Sequence, residues 1–456
     1  MSPSNDASLM DRLFVDTATQ RLFSDTRRIG AMLSFEAALA RAEARCGLLP
    51  ASAAAAIEAQ CDAGLYDYAA LGDDARRAGN LAIPLVKALT ARVRERDPEA
   101  ARWVHWGATS QDAIDTGLVL QLRDALAQTD TALAQIVAVL ATLTRMHRNS
   151  VMAGRTWLQQ AVPTTFGLKT AGWLDALSRH RQRLRELQPR LLVLQFGGAA
   201  GTLAALGAQA DAVASALAGE LQLDLPPLPW HAHRDRLVEA GAVLGLVAGT
   251  LGKIARDLSL MMQTEIGEAF EPAGAGRGGS STMPHKRNPV GCAIALAAAT
   301  RVPHLVATLY SAMPQEHERG LGNWPAEWDT LPDIFRLSGG SLAAMHEVLA
   351  GLEVDTARMR SNLEATHGLL YAERVAMALA GTLGKQAAHQ LVEQAAQRAI
   401  AERRSLREVL AEDAAVGRML DPAALAALFD ADSALGNSDL YIDRVLAAAQ
   451  RASENH

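Results

Sequence analysis

The sequence predicts an all-α protein: three helical domains organised on a central bundle of long helices. Three observations predict it. Aromatic residues make up 4% of the chain while alanine recurs throughout, which suits close helix packing better than sheets. Apolar residues recur three and four apart over long segments that contain no proline. No strand-like alternation persists, and no strand–helix–strand pattern appears.

With 456 residues the chain exceeds a single compact core. Its 49% hydrophobic and 21% charged residues are those of a soluble globular protein. A net charge of -6 gives no case for nucleic acid or an anionic membrane surface as partner. Cys46, Cys61 and Cys292 are odd in number and form no CxxC pair, which predicts reduced thiols and a cytoplasmic protein. The N-terminus lacks the pattern of a signal peptide. No uninterrupted apolar run is read as long enough to span a membrane.

Residues 1–110 are expected to form a first helical domain. Ser24 and Asp25 can cap a helix carrying Ile29, Met32, Leu33 and Leu39, and Gly47 ends it. Glu36, Arg41, Glu43 and Arg45 are expected on its solvated face, paired along the helix. Shorter helices are expected over 51–63 and 81–95, the second interrupted near Pro84. The central bundle, 111–354, begins with a helix from Asp112 to about Arg148, whose Leu118, Leu122, Leu126, Leu133, Ile136, Val137, Leu140 and Leu143 form one stripe. At 1.5 Å per residue it spans roughly 50 Å. Further long helices are expected over 164–196 and about 235–270. The latter is apolar nearly all round, with small residues from Ala240 to Gly249, and calls for covering by other subunits. Another helix starts near Pro289, where the missing N–H costs nothing, and another covers about 331–350. Residues 355–456 form a third helical domain without a chemical motif.

The run Gly278–Pro289 organises the rest. Pro272 to Pro284 reads as a loop, because glycines there accept positive φ and pack poorly. Ser280, Ser281, Lys286, Arg287 and Asn288 together suit a substrate bearing several carboxylates. Thr109, Ser110 and Asp112 precede the first long helix. Capping alone explains them, and hydroxyls with free N–H groups at a helix start also hold a carboxylate. His105 lies between Trp103 and Trp106 and is as readily structural as chemical. His231 and His233 lack a third metal ligand. Arg234 and Arg236 are read as solvated or as anion contacts. The glycines at 274–279 lack the strand and acidic residue of a dinucleotide site.

Gly278-Gly-Ser-Ser-Thr-Met-Pro-His-Lys-Arg-Asn-Pro289 resembles the GSSxMPxKxNP motif of the fumarase/aspartase superfamily. Gly107-Ala-Thr-Ser-Gln-Asp112 and Gly154–Gly167 resemble its other two active-site regions. The resemblance implies a homotetramer with a shared central bundle, each active site drawing on three chains. It implies no cofactor and no metal, and a small tricarboxylate as partner. Ser280 matches the superfamily's catalytic serine, and Lys286 and Asn288 are implied as stabilisers of the aci-carboxylate dianion. Thr109, Ser110, Arg155, Gln159, Ser281, Met283, Arg287, Asn288 and Arg319 are expected to bind substrate. Adenylosuccinate lyases carry catalytic histidines where this chain has Trp157 and Asn80, and neither side chain titrates near neutrality. The proton donor therefore stays open among Ser280, His105, His285 and water.

Over its full length the chain is similar to the cycloisomerase branch of the superfamily. Asp11–Phe14, Leu22–Asp25, Gln195–Thr202, and Gln315–Arg319 with Trp324 and Trp328 carry that likeness, which implies lactone formation on an unsaturated tricarboxylate. A fumarate-releasing elimination of the adenylosuccinate or argininosuccinate type and a non-catalytic helical scaffold are the alternatives. A scaffold has no need of the intact Ser280, Lys286 and Asn288.

Overall fold

The five longest helices are Ser110–Met146, Phe166–Leu191, Asp235–Met261, Val290–Ala312 and Asn323–Ala350. They are seen in a computed structural model that describes residues 9–274, 276–279, 282–283 and 286–454. The architecture is all-α, as expected. Asn323–Ala350 begins earlier than the sequence reading places it and runs through Pro332. Ala82–Arg96 is uninterrupted, because Pro84 lies in its first turn, where no N–H is needed.

The described residues also contain two small antiparallel ladders that the sequence reading does not predict. Val151–Thr156 pairs with Gln159–Thr165, and Ala269–Phe270 pairs with Glu353–Val354. Val151, Met152 and Ala153 are consecutively buried, so the first strand shows no alternation to read.

The chain divides into two compact units, each discontinuous in sequence. The first comprises Met1–Leu133, His180–Gly252 and Ile294–Ala344. In it, Ser24 accepts the Arg27 amide and starts the helix Asp25–Arg45, which buries Ile29, Met32, Leu33, Phe35 and Leu39. The small residues of Asp235–Met261 let a neighbour come close. A Cβ on Gly252 would stand 2.4 Å from Ala299 Cβ, and one on Gly241 2.5 Å from Leu309 Cδ1. The second unit comprises Ala134–Arg179, Lys253–Ala293 and Met345–His456. It holds both ladders and a C-terminal helical core centred on Val375, Leu379, Val392, Leu406 and Leu410.

Two expectations are corrected. Glu36 and Glu43 are buried, not solvated. The middle of their helix is enclosed, and Arg41 and Arg45 extend to Glu220 while Arg41 also reaches Glu58 at 2.6 Å. Neither carboxyl oxygen of Glu43 has a hydrogen-bond partner among the described residues. Burial, aided by the charge of Glu36, raises its pKa to about 9. Further, Ser110–Met146, Asp235–Met261 and Val290–Ala312 are long and apolar enough to cross a membrane by length and composition, since scattered polar residues interrupt the runs without removing their apolar character. Only 39%, 61% and 33% of these apolar stretches are buried within the chain, so apolar helix faces remain uncovered.

A protonated Glu43 gives stability a defined pH dependence. The native state holds a proton that the unfolded chain releases above the ordinary carboxyl value of 4.5. Stability therefore falls as pH rises from there toward 9. Glu43→Met removes this loss. In urea titrations the variant is expected to be more stable than the parent at pH 8, with the gap closing as pH approaches 4.5. A gap independent of pH would contradict a neutral buried Glu43.

Candidate active site

In the first unit the site is built on the start of Ser110–Met146. Asp112 reaches back to accept the Thr109 amide at 3.0 Å, which satisfies a donor that the helix leaves free. The same fully buried carboxylate accepts from Gly197 N at 3.0 Å, Gly198 N at 2.9 Å, Gln195 Nε2 at 3.1 Å and His231 Nε2 at 2.8 Å. His231 thus serves Asp112, and no group of three or more metal-ligating side chains occurs among the described residues.

One turn on, Asp115 meets Arg234 through Nη1 at 2.6 Å and Nη2 at 3.0 Å. Arg234 also bonds Glu327 at 2.7–3.1 Å and lies 5.0 Å over the Trp230 ring. Trp324 donates to Asp115 at 3.1 Å. Arg234 is neither solvated nor an anion contact, as the sequence reading has it: it is buried and matched by two carboxylates. Arg236 donates to the Arg190 carbonyl.

Gln111 carries this buried network to the surface. Its Nε2 donates to Asp115 at 3.0 Å and to the His231 carbonyl at 2.9 Å, while its Oε1 accepts from Arg319 Nε at 2.9 Å. Arg319 Nη2 then lies 3.2 Å from Thr109 Oγ1 and 3.3 Å from the Ala199 carbonyl. Two predicted substrate residues are therefore brought together, and Arg319 has no carboxylate partner among the described residues. Ser110 Oγ accepts from Asn80 Nδ2 at 3.4 Å. His105 sits at φ +60° with Nδ1 2.6 Å from Glu36 Oε1. Burial disfavours its cation, but the charges of Glu36 and Asp112 and the Glu36 hydrogen bond outweigh that and raise its pKa.

In the second unit Arg155 forms a two-pronged pair with buried Glu268 at 2.8 and 2.6 Å, and Asn362 supports the same carboxylate at 2.8 Å. Arg287 is paired with Glu353 at 2.9 Å, donates to the Glu271 carbonyl and lies 5.3 Å over Phe270. Both arginines are therefore matched within the chain. Asn288 N donates to Gly278 O at 2.8 Å and closes the loop. Gly278 has φ +64°, and a Cβ there would lie 2.5 Å from Asn288 O, so glycine is required. Glu271 accepts the Gly291 and Cys292 amides at 3.0 and 2.8 Å, capping the next helix.

A cavity of about 190 Å³ is lined by Glu271, Arg277, Gly279, Lys286, Arg287 and Asn288. Arg277 pairs with Glu347 at 3.0 Å; Lys286 has no ion-pair partner among the described residues. Met283 is exposed nearby in the loop. Ser280, Ser281 and His285 lie outside the described residues. Gln159 is exposed and faces Thr156 across the hairpin turn. The turn itself is Trp157 and Leu158, at φ +52° and +65° and 98% and 77% exposed. Such a turn favours Asn-Gly, so two bulky residues there carry backbone strain.

Sequence reasoning missed Glu36 and Gln111. A usable signal existed for Glu36, which stands alone in the apolar run Met32–Leu39. Gln111 gave none, because its partners are distant in sequence.

A family model described as "Lyase" matches residues 10–303, and one described as "Adenylosuccinate lyase C-terminus" matches 368–445. A 3-carboxy-cis,cis-muconate cycloisomerase of Pseudomonas aeruginosa is 59% identical over 98% of this chain and 96% of its own. Another of that name, from Bradyrhizobium diazoefficiens, is 55% identical over 97% and 98%. The crystal structure of 3-carboxy-cis,cis-muconate lactonizing enzyme from Pseudomonas putida superposes with a TM-score of 0.94 at 55% identity, covering 98% of this chain and 100% of that one.

Removing one partner of a buried ion pair leaves an uncompensated charge. Glu327→Leu is expected to lower stability by about 4 kcal/mol, seen as a lower urea midpoint. A midpoint unchanged from the parent would mean that Arg234 does not depend on Glu327.

Proposed function

The chain belongs to the lyase family of the fumarase/aspartase superfamily, and from that premise we propose that it interconverts 3-carboxy-cis,cis-muconate and 4-carboxymuconolactone. The observation that carries this is the 59% identity to a named cycloisomerase over nearly the whole length of both chains.

The chemistry sets what the residues must do. One carboxylate oxygen adds to a carbon of the conjugated diene, and a proton arrives at the carbon beside another carboxylate. The costly species is the aci-carboxylate dianion formed between the two events, and fixed donors aimed at it lower the barrier most. Lys286, without an ion-pair partner among the described residues and close in sequence to Asn288, takes that role. Arg319, bonded only to neutral oxygens among the described residues and held against Thr109 with Ser110 next to it in the same cap, grips a second carboxylate. Arg287, Gln159, Met283 and Ser281 complete the substrate contacts, and Arg155 shapes the hairpin through Glu268 while offering its remaining donors. Ser280 or His105 moves the proton. Trp157 has no proton to give near neutrality.

The assembly we infer is a homotetramer in which copies cover the apolar faces of one another's long helices and each site takes groups from more than one copy. The uncovered helix faces support this. The free Cys46, Cys61 and Cys292 fit a reducing, cytoplasmic setting.

Incubation with unsaturated tricarboxylates tests the reaction: loss of diene absorbance is expected. Release of fumarate from a succinyl adduct would favour a superfamily lyase instead, and neither change would favour a scaffold. Lys286→Met is expected to lower kcat about a hundredfold in the diene assay; turnover near that of the parent would remove Lys286 from the scheme. Light scattering after detergent-free gel filtration should give four times the 48.4 kDa chain mass, whereas a monomer would overturn the assembly.

A further inference from the structure

We propose that Glu36 is a positioning residue of the reaction: it fixes His105 with Nδ1 as donor and holds the ring cationic, so that Nε2 delivers the proton to the carbon beside the carboxylate. This rests on the reaction proposed above.

The geometry is specific. Glu36 lies on the enclosed side of Asp25–Arg45 and its side chain is 1% exposed, whereas that of His105 is 16% exposed. The two meet at 2.6 Å through Oε1 and Nδ1. Nε2 has no hydrogen-bond partner among the described residues, and His105 is the member of the pair whose side chain reaches solvent. His105 is four residues before Thr109 and is held at a left-handed φ, which a non-glycine residue keeps only when its surroundings fix it. A carboxylate behind one ring nitrogen sets the tautomer and stabilises the cation when the other nitrogen exchanges protons.

The groups around the pair leave Glu36 as the effective counter-charge. Asp112 acts on His105, but its oxygens are engaged by five donors within the fold. Glu43, on the same helix, is pushed up to about 9. Burial pushes the Cys61 thiol and the Tyr66 phenol up as well. All three are neutral at physiological pH. Balance in the lactone-forming direction is simple: the new C–O bond places an electron pair at the α carbon, that pair takes the Nε2 proton, and neutral imidazole remains with its Nδ1–H on Glu36. In reverse, the Nε2 lone pair removes the α proton as the ring oxygen leaves.

Glu36→Gln keeps an acceptor for Nδ1–H and removes the charge. Since the proton donor must be protonated, kcat/KM for lactone formation falls as pH rises through the pKa of His105. In the variant this limb is expected to move about one unit or more toward acid, so that the loss is about tenfold at pH 8 and much smaller at pH 5.5. Glu36→Asp should recover part of the shift. Deuterium exchange at the His105 Cε1 position, read by mass spectrometry, gives the pKa of that ring without any turnover. It should fall in Glu36→Gln by the same amount as the kinetic limb. A parent His105 that titrates at or below its ordinary 6.5, an exchange profile unmoved by Glu36→Gln, or a rate loss equal at every pH would each overturn the proposal. If the parent consumes no tricarboxylate, the assigned reaction falls on its own, and the exchange profiles still decide whether Glu36 sets the state of His105.

Discussion

The start of Ser110–Met146 depends on one buried carboxylate. Asp112 has left water completely, and an isolated charge there would be prohibitive. It is tolerated because five donors converge on it, three of them backbone amides. Those bonds have a consequence beyond stability. They tie the helix cap to the Gly197–Gly198 turn and to His231, three stretches far apart in sequence. With the cap fixed, Gln111 can face Asp115 and the His231 carbonyl, and only then is its oxygen aimed to hold Arg319 beside Thr109. The candidate substrate groups of the first unit, Thr109 and Arg319, inherit their positions from a carboxylate buried behind them.

Charge matching within the chain sorts the cations of the candidate site. From sequence, Lys286 is expected at the dianion, Arg155, Arg287 and Arg319 at the other carboxylates, and Arg234 either in solvent or against an anion. In the structure Arg155 is matched by Glu268, Arg234 by Asp115 and Glu327, and Arg287 by Glu353. Arg319 is held by neutral oxygens only, and Lys286 has no ion-pair partner among the described residues. A cation fixed by neutral acceptors keeps its full charge for a ligand, whereas one facing a carboxylate must first break that pair. With a net charge of -6, the chain as a whole does not attract a polyanion. Attraction has to be local, and these two residues are where the fold leaves it.

What was legible in the sequence follows from the range of the interaction. Helical period is local, so Ser110–Met146 was placed closely, as were the start of Asp235–Met261 and the Ser24 cap, whereas the end expected near 270 overran the helix into the strand Ala269–Phe270. The loop run and the helix-start run were legible because their residues are adjacent in the chain. Glu36, Glu43 and Arg234 were misplaced, since a charged side chain is solvated unless something distant encloses it. Their environments come from afar: Glu36 meets His105 across 69 residues, Arg234 meets Asp115 across 119, and Arg319 meets Gln111 across 208. The hairpin was missed for a different reason. Val151–Ala153 is buried without alternation, and its turn carries Trp157-Leu158 in place of the residues that announce such a turn.

That turn and the long helices present the same physical problem. A left-handed backbone at two bulky residues costs of order 1–3 kcal/mol each, and none of the described residues covers Trp157, which is almost fully exposed. In the apolar stretches of Ser110–Met146 and Val290–Ala312, likewise, fewer than half of the residues are buried. Apolar surface left open on a soluble protein marks a contact with another molecule. In the proposed tetramer both are answered by contact between copies: the helix faces by one another, and the strained tip by whatever surface it reaches. The indole at the tip has the opposite properties from an imidazole. It offers a broad apolar face and one donor but no transferable proton, so it can wall a site against water while acid–base work stays with groups elsewhere. In the proposed site, tryptophan at that tip would separate enclosure from proton transfer, which falls instead to a group with a titrating atom that has no partner among the described residues, as His105 Nε2 is.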